Sequence, residues 1–181
     1  MTVYLRNTTR SYQFDAPALA RTAKRLLRAL GEGGSSLSLS FVGDTAIRRL
    51  NREHRGKDRA TDVLSFPLHE SALSTGAPKR VRVPRADSGE PGPERMLGDI
   101  VISVERARRQ AREYDAPLDD ELKRLLIHGL LHLLGHDHVR RAERARMEDE
   151  ERQLAAAIGL RWPYDLVPSS PRAAARGGGP A

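Results

Sequence analysis

Four of the six histidines fall between residues 128 and 138, in the run His128-Gly129-Leu130-Leu131-His132-Leu133-Leu134-Gly135-His136-Asp137-His138. His128 and His132 are four apart on a segment with helical character. They therefore share one face, one turn apart, and both imidazoles can reach a single ion. Gly135 is a natural helix stop, after which the chain can turn and bring His138 back as a third nitrogen. Three nitrogens with an open position is the ligand set of a catalytic zinc site. A lone histidine on an apolar face is more often an ordinary core residue. Here, however, the only polar side chains from Leu125 to Leu134 are His128 and His132. Two neighbouring imidazoles in an apolar wall are costly without partners, and a metal partners both. Nickel or copper fits three imidazoles as well as zinc does.

The run is close to the metalloprotease pattern H-E-x-x-H, but Gly129 stands where the protease has its glutamate. The general base is missing from its usual place, which argues against proteolysis. Hydrolysis remains available, because a metal ion can lower the pKa of bound water towards neutrality.

The elements that must position these residues can be read from periodicity. Val3 to Leu5 reads as a short strand. Ala18 to Leu30 reads as a helix with Leu19, Ala23, Leu26, Leu27 and Leu30 on one face and Gly31 as its stop. Leu37 to Phe41 alternates with period two and reads as a half-buried strand. Asp44 is expected to cap a helix carrying Ile47 and Leu50. Arg52 to Ala60 is polar and reads as a loop. Asp62 to Phe66 is a strand stopped by Pro67, and Gly98 to Ile102 is another. Val104 to Glu113 is a charged helix. Leu118 to Leu134 is the most apolar helix, with Asp119, Asp120 and Glu121 in its first turn, where the helix dipole favours them. Arg140 to Ile158 is a last helix with an acidic stretch at Glu148 to Glu151. Residues 69 to 95 are rich in Gly, Pro, Ser and Arg and read as a long mobile loop. The expected architecture is α+β: a small mixed sheet of about four strands packed with helices. The metal site would sit on the central apolar helix and the turn after it. One domain is expected over residues 1–165, followed by a disordered Pro/Gly/Ala/Arg-rich tail over 166–181.

Composition narrows the function. The 181 residues contain no cysteine, which excludes disulfides, thiol catalysis and cysteine-ligated metals and suits a reducing compartment. No apolar run approaches the roughly 18–20 residues that span a bilayer, and Arg6 and Arg10 precede any long apolar stretch. No membrane association is expected, and the default location is cytoplasmic. The net charge is +7, favouring polyanions such as nucleic acid. Of the 31 basic residues 27 are arginine, a skew that genome composition alone can produce. Aromatic residues are only 4% of the chain, which argues against extensive base stacking. The basic stretch Lys79 to Arg85 can be a solvated loop or one that touches RNA.

The run from His128 to His138 resembles the hallmark H-G-x-L-H-L-x-G-y-D-H of the YbeY family of bacterial endoribonucleases and rRNA maturation factors. A second block, Arg55 to Pro67, resembles the family's R-G-x-D-x-x-T-D-V-L-S-F-P. A third, Leu97 to Ser103, resembles L-G-D-I-x-I-S, and Glu143 and Met147 match an E-x-x-x-M pattern. The likeness runs in order over residues 1 to 160. Where the family usually has an aromatic residue before the Asp-His pair, this chain has His136. The segment between Pro67 and Leu97 is long for the family, and the tail lies outside the likeness.

The resemblance implies a metal-dependent, single-strand-specific endoribonuclease. Such proteins are linked to 3′-end maturation of small-subunit (16S) rRNA and to ribosome quality control. It implies RNA, the small ribosomal subunit and its assembly factors as partners. It implies zinc held by His128, His132 and His138, and a functional arginine at Arg55. On a loop, Arg55 can fork onto the scissile phosphate and stabilise charge in the transition state, although a surface arginine in a polar turn is the plainer reading. Asp62 and Asp99 adjoin strands and can orient a ligand's second nitrogen or simply cap a strand end. Asp137 and His136 are candidates beside the ligands, and Ser65 is a candidate substrate contact or an ordinary strand residue. His54 and His69 lie outside the cluster and are expected to be solvated. Two other readings compete. One is a non-catalytic ribosome-assembly factor with a structural zinc; the other is a metal-dependent hydrolase or protease on a non-RNA substrate.

Overall fold

The computed structural model describes residues 1–9, 11–68, 95–136 and 141–162. The elements in chain order are β1 (Val3–Asn7), α1 (Ala16–Ala29), β2 (Ser35–Val42), α2 (Asp44–Arg55), β3 (Val63–Pro67), β4 (Arg95–Ser103), α3 (Val104–Glu113), α4 (Leu118–Leu133) and α5 (Arg141–Ala157). The sheet order is β1-β2-β4-β3. β1 and β4 run parallel to β2, and β3 runs antiparallel to β4 at the edge. The expected small mixed sheet of about four strands packed with helices is what the chain forms. The expected loop at 69–95 and the tail at 166–181 fall almost wholly outside the described residues.

Strand alternation decides which helix lies on which face. Leu37, Leu39 and Phe41 of β2 and Ile100 and Ile102 of β4 point into the main core, which they share with α1, α4 and α5. The opposite phase, Val42, Leu64 and Val101, packs on Ile47 of α2 in a smaller cluster. Leu97 joins the main core although it is an odd step from Ile100. A bulge opposite Ser36 to Ser38 re-phases the strand there. Gly98 is the residue that permits it: φ is +147° and a Cβ would stand 2.2 Å from the Phe66 carbonyl oxygen. The strand begins at Arg95, three residues before the alternation alone predicted, because a bulge hides the period-two signal.

Two sequence expectations change. Residues Arg52 to Arg55 are not loop; they form the last turn of α2. The helix stops at Gly56, left-handed at φ +66°, whose N–H donates to the Arg52 carbonyl. Polarity suggested a loop, but a solvent-facing helix turn is equally polar. Asp44 is also not the cap. Gly43 holds that position and has no side chain to offer. Instead Glu105 of α3 accepts from the Asp44 N–H at 3.1 Å, so the neighbouring helix supplies the cap. The Asp44 carboxylate is left to accept from Ser103 and Arg109.

α4 is the central element. Leu122, Leu125, Leu126, Leu130 and Leu131 are at most 1% exposed, each contributing roughly 1.5–3 kcal/mol by burial. At its start Glu121, also buried, accepts two bonds from Arg124 one turn on. Burial pushes the Glu121 carboxyl up, against the pull of the Arg124 guanidinium.

Candidate functional site

α4 delivers both helix histidines to one point. Their Nε2 atoms stand 3.1 Å apart. The spacing follows from the i,i+4 relation on a helix pinned by leucines on its other faces. Behind His128, Nδ1 donates to Glu151 Oε1 at 2.7 Å, from α5. That bond places the ring proton on Nδ1 and turns the Nε2 lone pair towards His132. A buried carboxylate in this position fixes the tautomer and orientation of a ligating imidazole. Two nitrogens bound at about 2.0–2.1 Å around a tetrahedral ion stand roughly 3.3 Å apart, so the pair fits a zinc-sized ion.

The other candidate residues fall as follows. His138 and Asp137 lie outside the described residues, as does His69. His136 pairs through Nε2 with Glu150 at 3.2 Å. Among the described residues no third histidine or carboxylate joins His128 and His132 in a group able to hold an ion. Asp62 accepts from Val63 N–H, Thr61 and Gln110, none of them a histidine. Burial pushes its carboxyl up, but these bonds outweigh it and hold it below the usual carboxylate range. Asp62 thus ties the start of β3 to α3. Asp99 lies inside β4, paired with Ser38 on one side and Phe66 on the other. His54 stands outside the cluster, its ring edge-on to Phe66 at 5.0 Å.

Ser65 and Arg55 connect to the site through the backbone. Ser65, buried on β3, donates through its hydroxyl to the Gly129 carbonyl at 3.1 Å. Arg55 reaches from the end of α2 to the Ser65 carbonyl at 3.3 Å. The arginine therefore satisfies a carbonyl of the edge strand. The same serine's hydroxyl holds α4 between its two histidines. Arg55 is exposed, and a guanidinium has five donors, so most of its fork remains available.

Gly129 now has a physical reason. A Cβ there would meet Ile100 at 3.0 and 3.1 Å and Ser65 Oγ at 3.2 Å. α4 lies so close to the sheet at this turn that the protease glutamate has no room. Gly129→Glu is expected to lower stability by more than about 2 kcal/mol, from overpacking and a buried charge. The helix-propensity gain over glycine, up to about 1 kcal/mol, does not offset this. Thermal unfolding measures it; an unchanged Tm would show that the helix can lift from the sheet.

Glu151 is the residue that sequence reasoning missed. Glu151→Ala is expected to weaken zinc affinity about 10–100-fold, the usual effect of losing a ligand's outer hydrogen bond. Metal titration against a competing chelator reads this directly, and unchanged affinity would mean that His128 needs no such support.

A family model described as Endoribonuclease YbeY matches residues 4–159. Curated proteins named Endoribonuclease YbeY are similar along most of the chain. One from Myxococcus xanthus is 49% identical, covering 80% of this chain and 44% of its own length. One from Anaeromyxobacter is 44% identical over 88% of this chain and 73% of the relative. One from Moorella thermoacetica is 43% identical over 82% and 94%. The chain thus spans less than half of the Myxococcus protein but nearly all of the Moorella one. A solution structure of a Thermotoga maritima protein is similar in fold, with TM-score 0.51 and 20% identity over 94% of this chain and 99% of that one.

Proposed function

Because the chain belongs to the endoribonuclease YbeY family, we propose that it is a zinc-dependent endoribonuclease that cleaves single-stranded RNA. Its place in the cell is the cytoplasm, where it acts on the 3′ end of small-subunit rRNA and in ribosome quality control. Its partners are the small subunit and its assembly factors. The observation that carries the reading is the convergence of the His128 and His132 Nε2 atoms, backed by Glu151. The net charge of +7 suits an RNA substrate, and among the described residues no helix is long and apolar enough to cross a membrane.

His128 and His132 hold the ion, with His138 as third ligand by the spacing of the family hallmark. A zinc ion supplies Lewis acidity towards a phosphoryl oxygen and acidifies water. The chain's own residues do the rest. Glu151 keeps the His128 ring in one tautomer and orientation. Arg55 presents its remaining donors to the phosphate and stabilises added negative charge. Ser65 and Gly129 keep the arginine's strand and the histidine helix in fixed register.

The test is cleavage of a labelled single-stranded RNA by metal-quantified protein, before and after chelation and on return of zinc. Cleavage that disappears and returns supports the reading. No cleavage by folded, fully metallated protein overturns it and favours the assembly factor with a structural zinc. A 2′,3′-cyclic phosphate on the product would identify attack by the RNA's own 2′-hydroxyl.

The leucine packing of α4 bears on that alternative. The helix packs by apolar burial in the main core, against α1, α3, β3, β4 and α5. Chelated protein is therefore expected to unfold in one cooperative thermal transition, at a Tm lowered only by the lost binding energy. Loss of cooperative unfolding on chelation would make the zinc structural instead.

A further inference from the structure

We infer that the chain forms a two-fold dimer in which β1 pairs antiparallel with the β1 of a second copy, centred on Leu5. Such a dimer does not depend on the ribonuclease activity. β1 is one outer strand of the sheet. The Leu37 N–H donates to the Thr2 carbonyl, and the Thr8 N–H to the Phe41 carbonyl. Backbone groups alternate in direction along a strand, so Tyr4 and Arg6 also bond to β2, while Val3, Leu5 and Asn7 turn their N–H and C=O outward. The other outer strand, β3, is closed. Ser103 donates to the Asp62 carbonyl and Leu68 to the Leu97 carbonyl, which leaves Val63, Ser65 and Pro67 facing outward. The Val63 N–H is held by the Asp62 carboxylate, Arg55 occupies the Ser65 carbonyl, and Pro67 has no N–H. Among the described residues no such bond caps the outward groups of β1.

The side chains of β1 complement themselves in this register. Tyr4 is 52% and Leu5 39% exposed, adjacent apolar surface on an open edge. Pairing about Leu5 sets Leu5 against the partner's Leu5 and Val3 against the partner's Asn7, and each outward pair exchanges two hydrogen bonds. Val3 packs on the main core, so by alternation the Leu5 contact lies on the same face, at the rim of the α1 layer. On the other face Tyr4 stands opposite the partner's Arg6, in the closer, non-hydrogen-bonded type of pair. Arg6 is exposed, and a guanidinium over a tyrosine ring is attractive. Neighbouring registers do worse. Centring on Tyr4 leaves Asn7 without a strand partner, and centring on Arg6 sets two arginines face to face. A second copy therefore meets every outward group of β1 and brings no like charges opposite one another. The contact is isologous and closes as a dimer.

The experiment follows the full-length, zinc-loaded protein by sedimentation velocity from micromolar to submillimolar concentration, where a reversible dimer should appear. Leu5→Pro removes an N–H that the monomer does not use and that the dimer uses twice. It should weaken association about tenfold or more, each lost hydrogen bond being worth roughly fivefold. Tyr4→Arg, an exposed change that puts arginine opposite arginine, should weaken it as well and serves if Leu5→Pro does not fold. The absence of native cysteine gives a direct reading of register. Leu5→Cys should form an inter-chain disulfide on oxidation, because paired Cα atoms of this type lie about 5.5 Å apart. Val3→Cys should not, because its two copies would lie roughly 14 Å apart. A protein that stays monomeric throughout, with no excess of Leu5→Cys over Val3→Cys disulfide, overturns the dimer. A dimer that survives both Leu5→Pro and Tyr4→Arg lies on another surface and overturns it equally. Equal crosslinking of the two cysteine variants overturns the register.

Discussion

His132→Ala should leave a folded protein that neither retains zinc nor cuts RNA. Its Nε2 is one of two nitrogens that converge to 3.1 Å, and no residue among those described stands ready to replace it. Metal content should fall from about one ion per chain to near zero. Cleavage should fall at least a thousandfold, since a metal Lewis acid contributes several kcal/mol to the transition state and three decades correspond to about 4 kcal/mol. The fold should survive because His132 is only half-buried, while the leucines beside it carry the packing. Mass spectrometry under native conditions counts the ion, and circular dichroism checks the fold. A His132→Ala protein that still holds one zinc per chain would sink the assignment of this pair as the metal centre. One that loses zinc but cleaves normally would sink the metal dependence.

The pair was legible in the sequence because two independent signals agree. The i,i+4 spacing fixes a shared face, and the ten residues from Leu125 to Leu134 offer the imidazoles no other polar side chain. Glu151 was hidden among Glu148, Asp149 and Glu150, which read together as a solvated acidic stretch. A signal was nevertheless present. Met147, Glu151, Leu154 and Ala155 fall on one helical stripe and all are buried, so one carboxylate of the stretch lies on the core face. A charge on an apolar stripe demands a partner, and the histidine helix is the neighbour that has one to give.

Gly129 shows the opposite case. The sequence reveals only that a glutamate is missing. The reason, the approach of Ile100 and Ser65, depends on segments 29 and 64 residues away in the chain. Gly98 is similar, since the Phe66 carbonyl that excludes a side chain comes from β3. The end of α2 could have been read correctly. Gly56 is the left-handed stop, and placing the helix end there puts Arg55 on its final turn rather than on a loop.

That placement sharpens what Arg55→Glu should do. On a helix end, with Nη2 on the Ser65 carbonyl, the arginine is pre-positioned rather than free to wander. Reversing its charge removes the donors offered to the phosphate and adds repulsion to a group already carrying negative charge. Loss of one preorganised donor to a developing charge costs about 10²–10³ in kcat, and reversal should exceed that and bring cleavage to background. Zinc content should stay at its parent level, because Arg55 touches β3 and not the histidines. Stability should change little, since an exposed residue loses one hydrogen bond, about 1 kcal/mol. Arg55→Lys separates the two functions of the side chain. A point charge without a planar fork should restore part of the binding but little of the rate. If Arg55→Glu loses its zinc, the residue supports the metal centre and not the phosphate. If Arg55→Lys cleaves at the full parent rate, bidentate geometry is unnecessary and simple charge is enough.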